Sequence, residues 1–224
     1  MKRQYAIIGL GRFGASIAKE LSAMGSDVLA IDADQDLVEE ISKYVTHAVQ
    51  TDATDEKALK ALGIRNFDVA VVAIGNNIQA SILITMLCKE MDIDYVLVKA
   101  QNDLHAKVLY KIGADIVVFP ERDMGVRVAH NLTAPNILDY IELSPDYSLV
   151  EISAIGEWKG KSLIELDFRK KYGVNIMAIK HPDGSINISP LGRDIIGTDD
   201  IIVVIGSTAN INRLEKENSQ KTTQ

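Results

Sequence analysis

The sequence predicts an α/β protein, a doubly wound parallel sheet followed by a second, smaller α+β lobe. Three observations carry that expectation. Short apolar runs alternate with segments of helical periodicity from the N-terminus to about Pro120. The first of those runs ends in a G-x-G-x-x-G loop that opens straight into a helical pattern. From Tyr147 onward the rhythm changes to strand-like runs, two of them joined by strong hairpin turn chemistry.

In chain order, YAIIG from Tyr5 reads as a buried strand, and Phe13, Ile17, Leu21 and Met24 then recur at helical spacing until Gly25 ends the helix. DVLAID is the next strand. Leu37, Val38 and Ile41 mark the helix after it, with Asp34 or Asp36 suited to cap it. HAVQ, VAVVAI, YVLVKA and DIVVF supply further strands, separated by the helical patterns DEKALKAL, IQASILITMLCKEM and DLHAKVLYKI. Near-continuous apolar strands with helices between them imply right-handed crossovers and a sheet covered on both faces.

A helix from about Glu121 to Leu132 closes this part, and the break TAPN leads into the short amphipathic piece ILDYIEL. Beyond it, SLVEISAI, NIMAIKH, INISP and DIIVVIG read as strands, with HPDGS as the hairpin turn between two of them. SLIELDFRKKYG and TANINRLEKE read as helical. The expected organisation is a doubly wound domain over 1–133, a hinge over 134–146, an α+β lobe over 147–216 and a frayed tail over 217–224.

Bulk properties narrow the function. With 224 residues, 47% of them hydrophobic, the chain can bury two cores. A formal charge of -7 argues against nucleic acid as a partner, because phosphate backbones require a basic face. The one cysteine, Cys88, has no partner and falls in an apolar helical pattern. The charged start MKRQY runs directly into a strand, and no apolar stretch is long enough to span a bilayer. A cytoplasmic location is expected, which leaves room for a membrane-embedded partner.

The glycine loop points to a dinucleotide or nucleotide site. Gly9, Gly11 and Gly14 lie between a strand and a helix, where a tight turn, close phosphate approach and close helix packing are all required. The helix start then offers free N–H groups and partial positive charge to a phosphate, with Arg12 and Phe13 inside the loop. Asp32 ends the second strand, where a carboxylate can accept from both ribose hydroxyls and disfavours a 2′-phosphate. Asp52, Ala53 and Thr54 end the third strand and are suited to border an adenine ring, Thr54 having a helix cap as its other reading. Ala73, Ile74, Gly75 and Asn76 end the fourth and are suited to cover ribose or phosphates.

A dehydrogenase catalyst is not visible. Tyr95 and Lys99 have the tyrosine–lysine spacing of short-chain dehydrogenases, but their segment reads as a strand, where four residues span about 13 Å. His47, His105, His130 and His181 are scattered, and no metal-ligand pattern or nucleophile elbow is present.

The motifs IGLGRFG, AIGNNIQAS, VKAQND, KIGAD and PERDMGVRVAHN, in that order, resemble the regulatory RCK subunits (a KTN or TrkA-N domain followed by TrkA-C) of Ktr-type potassium transporters. The resemblance covers almost the whole chain. It implies a Rossmann-type domain plus an α+β lobe, no catalysis, and gating by ATP against ADP, with NAD(H) sensing or oxidoreduction as the alternative. It implies that Arg12 reaches nucleotide phosphates, including the γ-phosphate bound in a neighbouring subunit, with Asp32 on the ribose and Lys99 near the phosphates. By the same resemblance Glu121 helps place Mg²⁺ or Ca²⁺ beside ATP; read from the residues alone it belongs to a first helical turn. Homodimers assembling into an octameric ring beneath a membrane-embedded potassium transporter subunit (KtrB- or KtrD-like) are implied too. In the second lobe the resemblance implies a cyclic di-AMP site at Ile164, Arg169, Asn175, Ile176 and Pro190, with His181 nearby.

Overall fold

The protein is described from a computed structural model over residues 3–133 and 137–219. In chain order the first unit contains β1 (Gln4–Ile8), α1 (Arg12–Ala23), β2 (Asp27–Asp32), α2 (Gln35–Ile41), β3 (His47–Gln50) and α3 (Glu56–Ala61). A 3-10 turn at Ile64–Asn66 leads to β4 (Val69–Val72), α4 (Ile78–Glu90), β5 (Tyr95–Lys99), α5 (Asp103–Lys111) and β6 (Ile116–Val118). All pairings in this sheet are parallel, in the order β3-β2-β1-β4-β5-β6. The chain therefore starts in the middle, winds outward, and reverses between β1 and β4, so a crevice opens at the carboxyl ends of those two strands.

The alternation of each strand builds two separate cores. Ile7, Val28, Ala30 and Val71 face α1 and α2, meeting Ala18, Val38 and Ile41. Ala6, Ile8, Ile31 and Val72 face the other way, toward Leu59 of α3, Ile84 and Leu87 of α4 and Leu109 of α5. Each fully buried Val, Leu or Ile among them contributes on the order of 1.5–3 kcal/mol. Cys88 is buried in that second core, and burial pushes its thiol up to about 12, so it is an inert packing group. Met24 continues the helical spacing on paper but caps α1 and is exposed, because Gly25 at φ 81 has already ended the helix.

The chain divides into two compact units between Glu121 and Arg122. The helix α6 (Pro120–Thr133), expected to close the first domain, thus belongs mostly to the second. Arg127 supplies a reason: its guanidinium donates twice to the Asp139 carboxylate, at 2.7 and 2.5 Å. Asp139 sits on β7 (Ile137–Ser144), which replaces most of the expected hinge over 134–146. ILDYIEL forms an edge strand antiparallel to β8 (Tyr147–Ser153), with Tyr140 turned into the lobe and its hydroxyl 2.7 Å from Ser148 Oγ. Residues 134–136 of the expected hinge lie outside the described residues.

The rest of the second unit is α7 (Leu163–Leu166), α8 (Phe168–Tyr172), β9 (Val174–Lys180), β10 (Ile186–Asn187), β11 (Ile201–Ser207) and α9 (Thr208–Ser219). Its sheet runs β10-β9-β11-β8-β7, with the pairs antiparallel. SLIELDFRKKYG is two short helices rather than one, because Asp167 takes a left-handed conformation (φ 40) and caps the second. Trp158, 1% exposed, stacks edge-on against Phe168 at 4.8 Å and Tyr172 at 6.3 Å, and this cluster anchors the lobe's core. The expected tail from residue 217 is still helical through Ser219, and residues 220–224 lie outside the described residues.

Candidate nucleotide-binding site

The glycine loop follows β1 at the reversal of strand order, and each glycine answers a different demand. Gly9 holds φ +95, and a Cβ there would stand 3.0 Å from the Ala73 backbone. Gly14 lies in the first turn of α1, where a Cβ would stand 1.9 Å from the Gly9 carbonyl oxygen; only a glycine lets the helix approach the loop this closely. Gly11 has open space where its Cβ would be, which is the room a phosphate needs over the backbone.

The start of α1 is also bare. The helices α2, α3, α4 and α5 begin with Asp34, Asp55, Asn77 and Asn102, each accepting a backbone N–H through its side chain. The cap of α1 is Gly11, with no side-chain bond and no acidic residue in the first turn. Its leading N–H groups and the positive end of its dipole therefore point into the crevice, available to an anion.

Two contiguous clefts share Gly9, Asp32, Ile74 and Asn77. One, of about 470 Å³, is lined by Gly11, Arg12, Phe13, Ala73, Gly75, Asn76, Lys99 and Glu121 besides the shared residues. The other, of about 310 Å³, is lined by Thr51, Asp52, Ala53 and Thr54 with Ile8, Ile31 and Ala80. The first has the cations and the bare helix start that phosphates require; the second is apolar at its base and polar at its rim, as a purine requires. Every residue expected from the sequence at the nucleotide site lines one of these clefts except Gly14, whose place is the helix–loop contact.

Asp32 stands between the two clefts. Its Oδ2 accepts from Leu10 N at 2.6 Å and its Oδ1 from Asp34 N at 3.0 Å, so the carboxylate is locked by backbone with lone pairs left for ribose hydroxyls. Asp52 accepts from both the N–H and the hydroxyl of Thr54, at 2.9 and 2.7 Å, and those bonds lower its pKa. Thr54 is not the cap of α3: Asp55 is, accepting from Lys57 N at 2.8 Å. Lys99 extends from the end of β5 into the first cleft and is ion-paired with Glu121. The Lys99 ammonium, and more weakly Arg12, hold the Glu121 carboxyl below the usual range. The sequence pattern does not mark Asn77, which lines both clefts and caps α4, as a site residue, nor Gln101, which donates to the Gly75 carbonyl. The asparagine ahead of the apolar helix was the signal available for Asn77.

A divalent cation finds one carboxylate here. Among the described residues no cluster of three or more acidic, histidine or cysteine side chains could hold a metal. Ionised and 64% exposed, the Glu121 side chain could contribute one ligand oxygen, and phosphate oxygens and water would have to supply the rest.

The second-lobe candidates are less gathered. Ile164 is 72% exposed on α7 and lies against Gly192, two residues past Pro190. Arg169 and Asn175 are exposed, whereas Ile176, next along β9, packs against the lobe's core. His181 Nδ1 is 2.9 Å from the buried Asp200 carboxylate. Of the other histidines, His105 is buried in α5 and accepts from Gln101 N at 3.4 Å, and His47 is exposed on β3. No helix among the described residues is long and apolar enough to cross a membrane.

Two family models match the chain: the TrkA-N domain over residues 5–120 and the TrkA-C domain over residues 148–218. The Bacillus subtilis Ktr system potassium uptake protein C is 55% identical over 216 residues, spanning 96% of this chain and 97% of its own. Protein A of the same system and organism is 52% identical, covering 96% of each. Among solved structures, the GsuK channel bound to NAD superposes with a TM-score of 0.52 at 24% identity, over 97% of this chain and 38% of that one. The TrkA-N domain of the Escherichia coli inner membrane protein ybaL gives 0.53 at 19% identity, over 59% of this chain and 97% of that one. The structural likenesses bear on fold.

Proposed function

The chain belongs to the family of TrkA-N and TrkA-C domain proteins, and from that premise we propose that it is the nucleotide-sensing regulatory subunit of a potassium uptake system. The observation that carries this reading is the bare start of α1, open over Gly11 and flanked by Arg12 and Lys99, continuous with a cleft of purine size beside Asp32. The near full-length identity to the two Bacillus subtilis Ktr proteins supports the transport assignment.

The proposed mechanism makes and breaks no bond. Adenine lies along Asp52, Ala53 and Thr54, the ribose hydroxyls donate to Asp32, and the phosphates lie over Gly11 toward Arg12 and Lys99. ATP and ADP differ at the terminal phosphate, and only their differential affinity for two conformations can move a partner. Homodimers assembled into an octameric ring would pass that difference to a membrane-embedded potassium transporter subunit from the cytoplasmic side. Mg²⁺ or Ca²⁺ would join ATP at Glu121.

The test is a panel of ATP, ADP, AMP, NAD⁺ and NADH, each with and without Mg²⁺ or Ca²⁺, read by thermal shift. Ligand at a hundredfold excess over Kd should stabilise by about 2.7 kcal/mol. ATP stabilising more strongly with a divalent cation is the expected result. Preference for NADH, or hydride transfer from it to any acceptor, would replace this reading with an NAD(H) sensor or oxidoreductase.

Cyclic di-AMP binding at the second lobe is proposed on the sequence resemblance, with the exposed Ile164, Arg169 and Asn175 as its first contacts. Titration of the full chain with labelled cyclic di-AMP should saturate, and an Arg169→Ala variant should weaken it roughly tenfold, as for a lost charge-assisted bond. A linear, non-saturable response would remove the site.

A further inference from the structure

Among the described residues Asp32 and Glu121 are the two carboxylates lining the first cleft, and unlike Asp32, Glu121 is paired with a cation. The two partners differ in freedom. The Lys99 side chain is 12% exposed at the end of β5, so its ammonium is fixed by its surroundings, whereas Glu121 is 64% exposed and reaches the ammonium from the solvent side. The same cleft is lined by Gly11 and Arg12, the groups suited to a phosphate. A carboxylate therefore lies against a cation that a phosphoryl oxygen would also seek.

We infer that Glu121 is a tethered competitor for the nucleotide phosphate: a phosphate reaching Lys99 contends with the Glu121 carboxylate for the ammonium. This inference rests on the nucleotide reading of the cleft. The two anions offer the ammonium the same chemistry, an oxygen with charge and lone pairs, so one ammonium hydrogen-bonded to Glu121 serves a phosphate less well. Displacement also has a structural consequence. Glu121 is the second residue of α6, the helix that runs on from the first unit into the second. Phosphate occupancy would thus be registered at the first turn of the connecting helix, through the loss of its tie to β5.

The experiment titrates the full chain with ADP and, separately, with adenosine, in EDTA at constant ionic strength. Glu121→Gln should bind ADP roughly fivefold tighter than wild type, the scale of an exposed ion pair removed as a competitor. Adenosine, which has no phosphate, should bind both equally. In a Lys99→Gln background the gain from Glu121→Gln should shrink to less than about twofold, because the competition has lost its object. Glu121→Asp keeps the charge but shortens the tether, and should show an intermediate gain. Unchanged ADP affinity in Glu121→Gln overturns the inference. So does a gain that persists undiminished without Lys99, or wild-type affinity in Glu121→Asp alongside a gain in Glu121→Gln, since either would report only the general field of a negative charge. Wild-type protein that binds no adenine nucleotide would instead overturn the nucleotide reading beneath it, and is told apart by the wild-type titration alone.

Discussion

Replacing Arg12 by alanine is expected to weaken ATP by roughly tenfold to a hundredfold and ADP by no more than about threefold. The asymmetry follows from where the guanidinium stands. Arg12 is the first residue of α1, exposed, in the cleft that also holds Lys99 and Glu121. A cation at that position opposes the helix dipole, so helix stability gives no reason for it. The α- and β-phosphates of ADP are served adequately by the leading N–H groups of α1 over Gly11. ATP carries about one more negative charge than ADP, and at an effective dielectric near 20 a fixed charge a few ångströms from its terminal phosphate is worth several kcal/mol before desolvation. Most of that is lost to water when the arginine is exposed, which is why tenfold to a hundredfold is expected rather than more. Calorimetric titration of both nucleotides against both proteins checks it. Equal losses for ATP and ADP would show that Arg12 contributes only a general positive potential.

Local chemistry was the legible part of this chain. The order of strands and helices in the first unit, the three glycines and Asp32 follow from spacing alone, because a doubly wound sheet places every functional loop at a strand's carboxyl end. Arg12 and Glu121 are different in kind. Nothing in composition or period distinguishes an arginine on a phosphate from one in water, and their roles were implied by resemblance to a family. The ion pair between Lys99 and Glu121 was out of reach for another reason: 22 residues separate them, and only the parallel pairing of β5 with β6 brings the start of α6 over the end of β5.

The second unit is less legible in the sequence, and ILDYIEL shows why. Ile137, Tyr140 and Ile141 satisfy a helical spacing as well as a strand would, and among the described side chains of the strand Tyr140 alone is buried, while Ile141 and Leu143 are exposed. Without clean alternation the period is undetermined. The pairing with β8, which is irregular at both ends, decides it. Likewise the short helices α7 and α8 could not be separated from the sequence, since an aspartate in the left-handed region is uncommon and its neighbours are ordinary helix formers.

The glycine loop allows a paired substitution that separates fold from ligand. Gly14→Ala would place a methyl group 1.9 Å from the Gly9 carbonyl oxygen, and neither backbone can retreat: Gly9 N donates to Ile31 O at 2.8 Å, and α1 is packed on the sheet through Ala18. Overpacking against backbone should cost about 3 kcal/mol, the upper part of the usual range. For a unit of this size that lowers the melting temperature by on the order of 10 °C. Gly11→Ala is the reverse case. Gly11 has φ -61 and ψ -180, extended backbone that alanine adopts freely, and no atom lies within 4 Å of the new methyl. Stability should stay within about 0.5 kcal/mol of wild type. The methyl would nonetheless stand where the phosphate must approach, and ADP affinity should fall at least tenfold, about 1.4 kcal/mol. Differential scanning calorimetry and nucleotide titration on the two variants read the two effects separately. A Gly11→Ala protein that melts normally and binds ADP as wild type does would mean that the phosphates do not lie over this turn, and the clefts on either side of Asp32 would then need a different ligand.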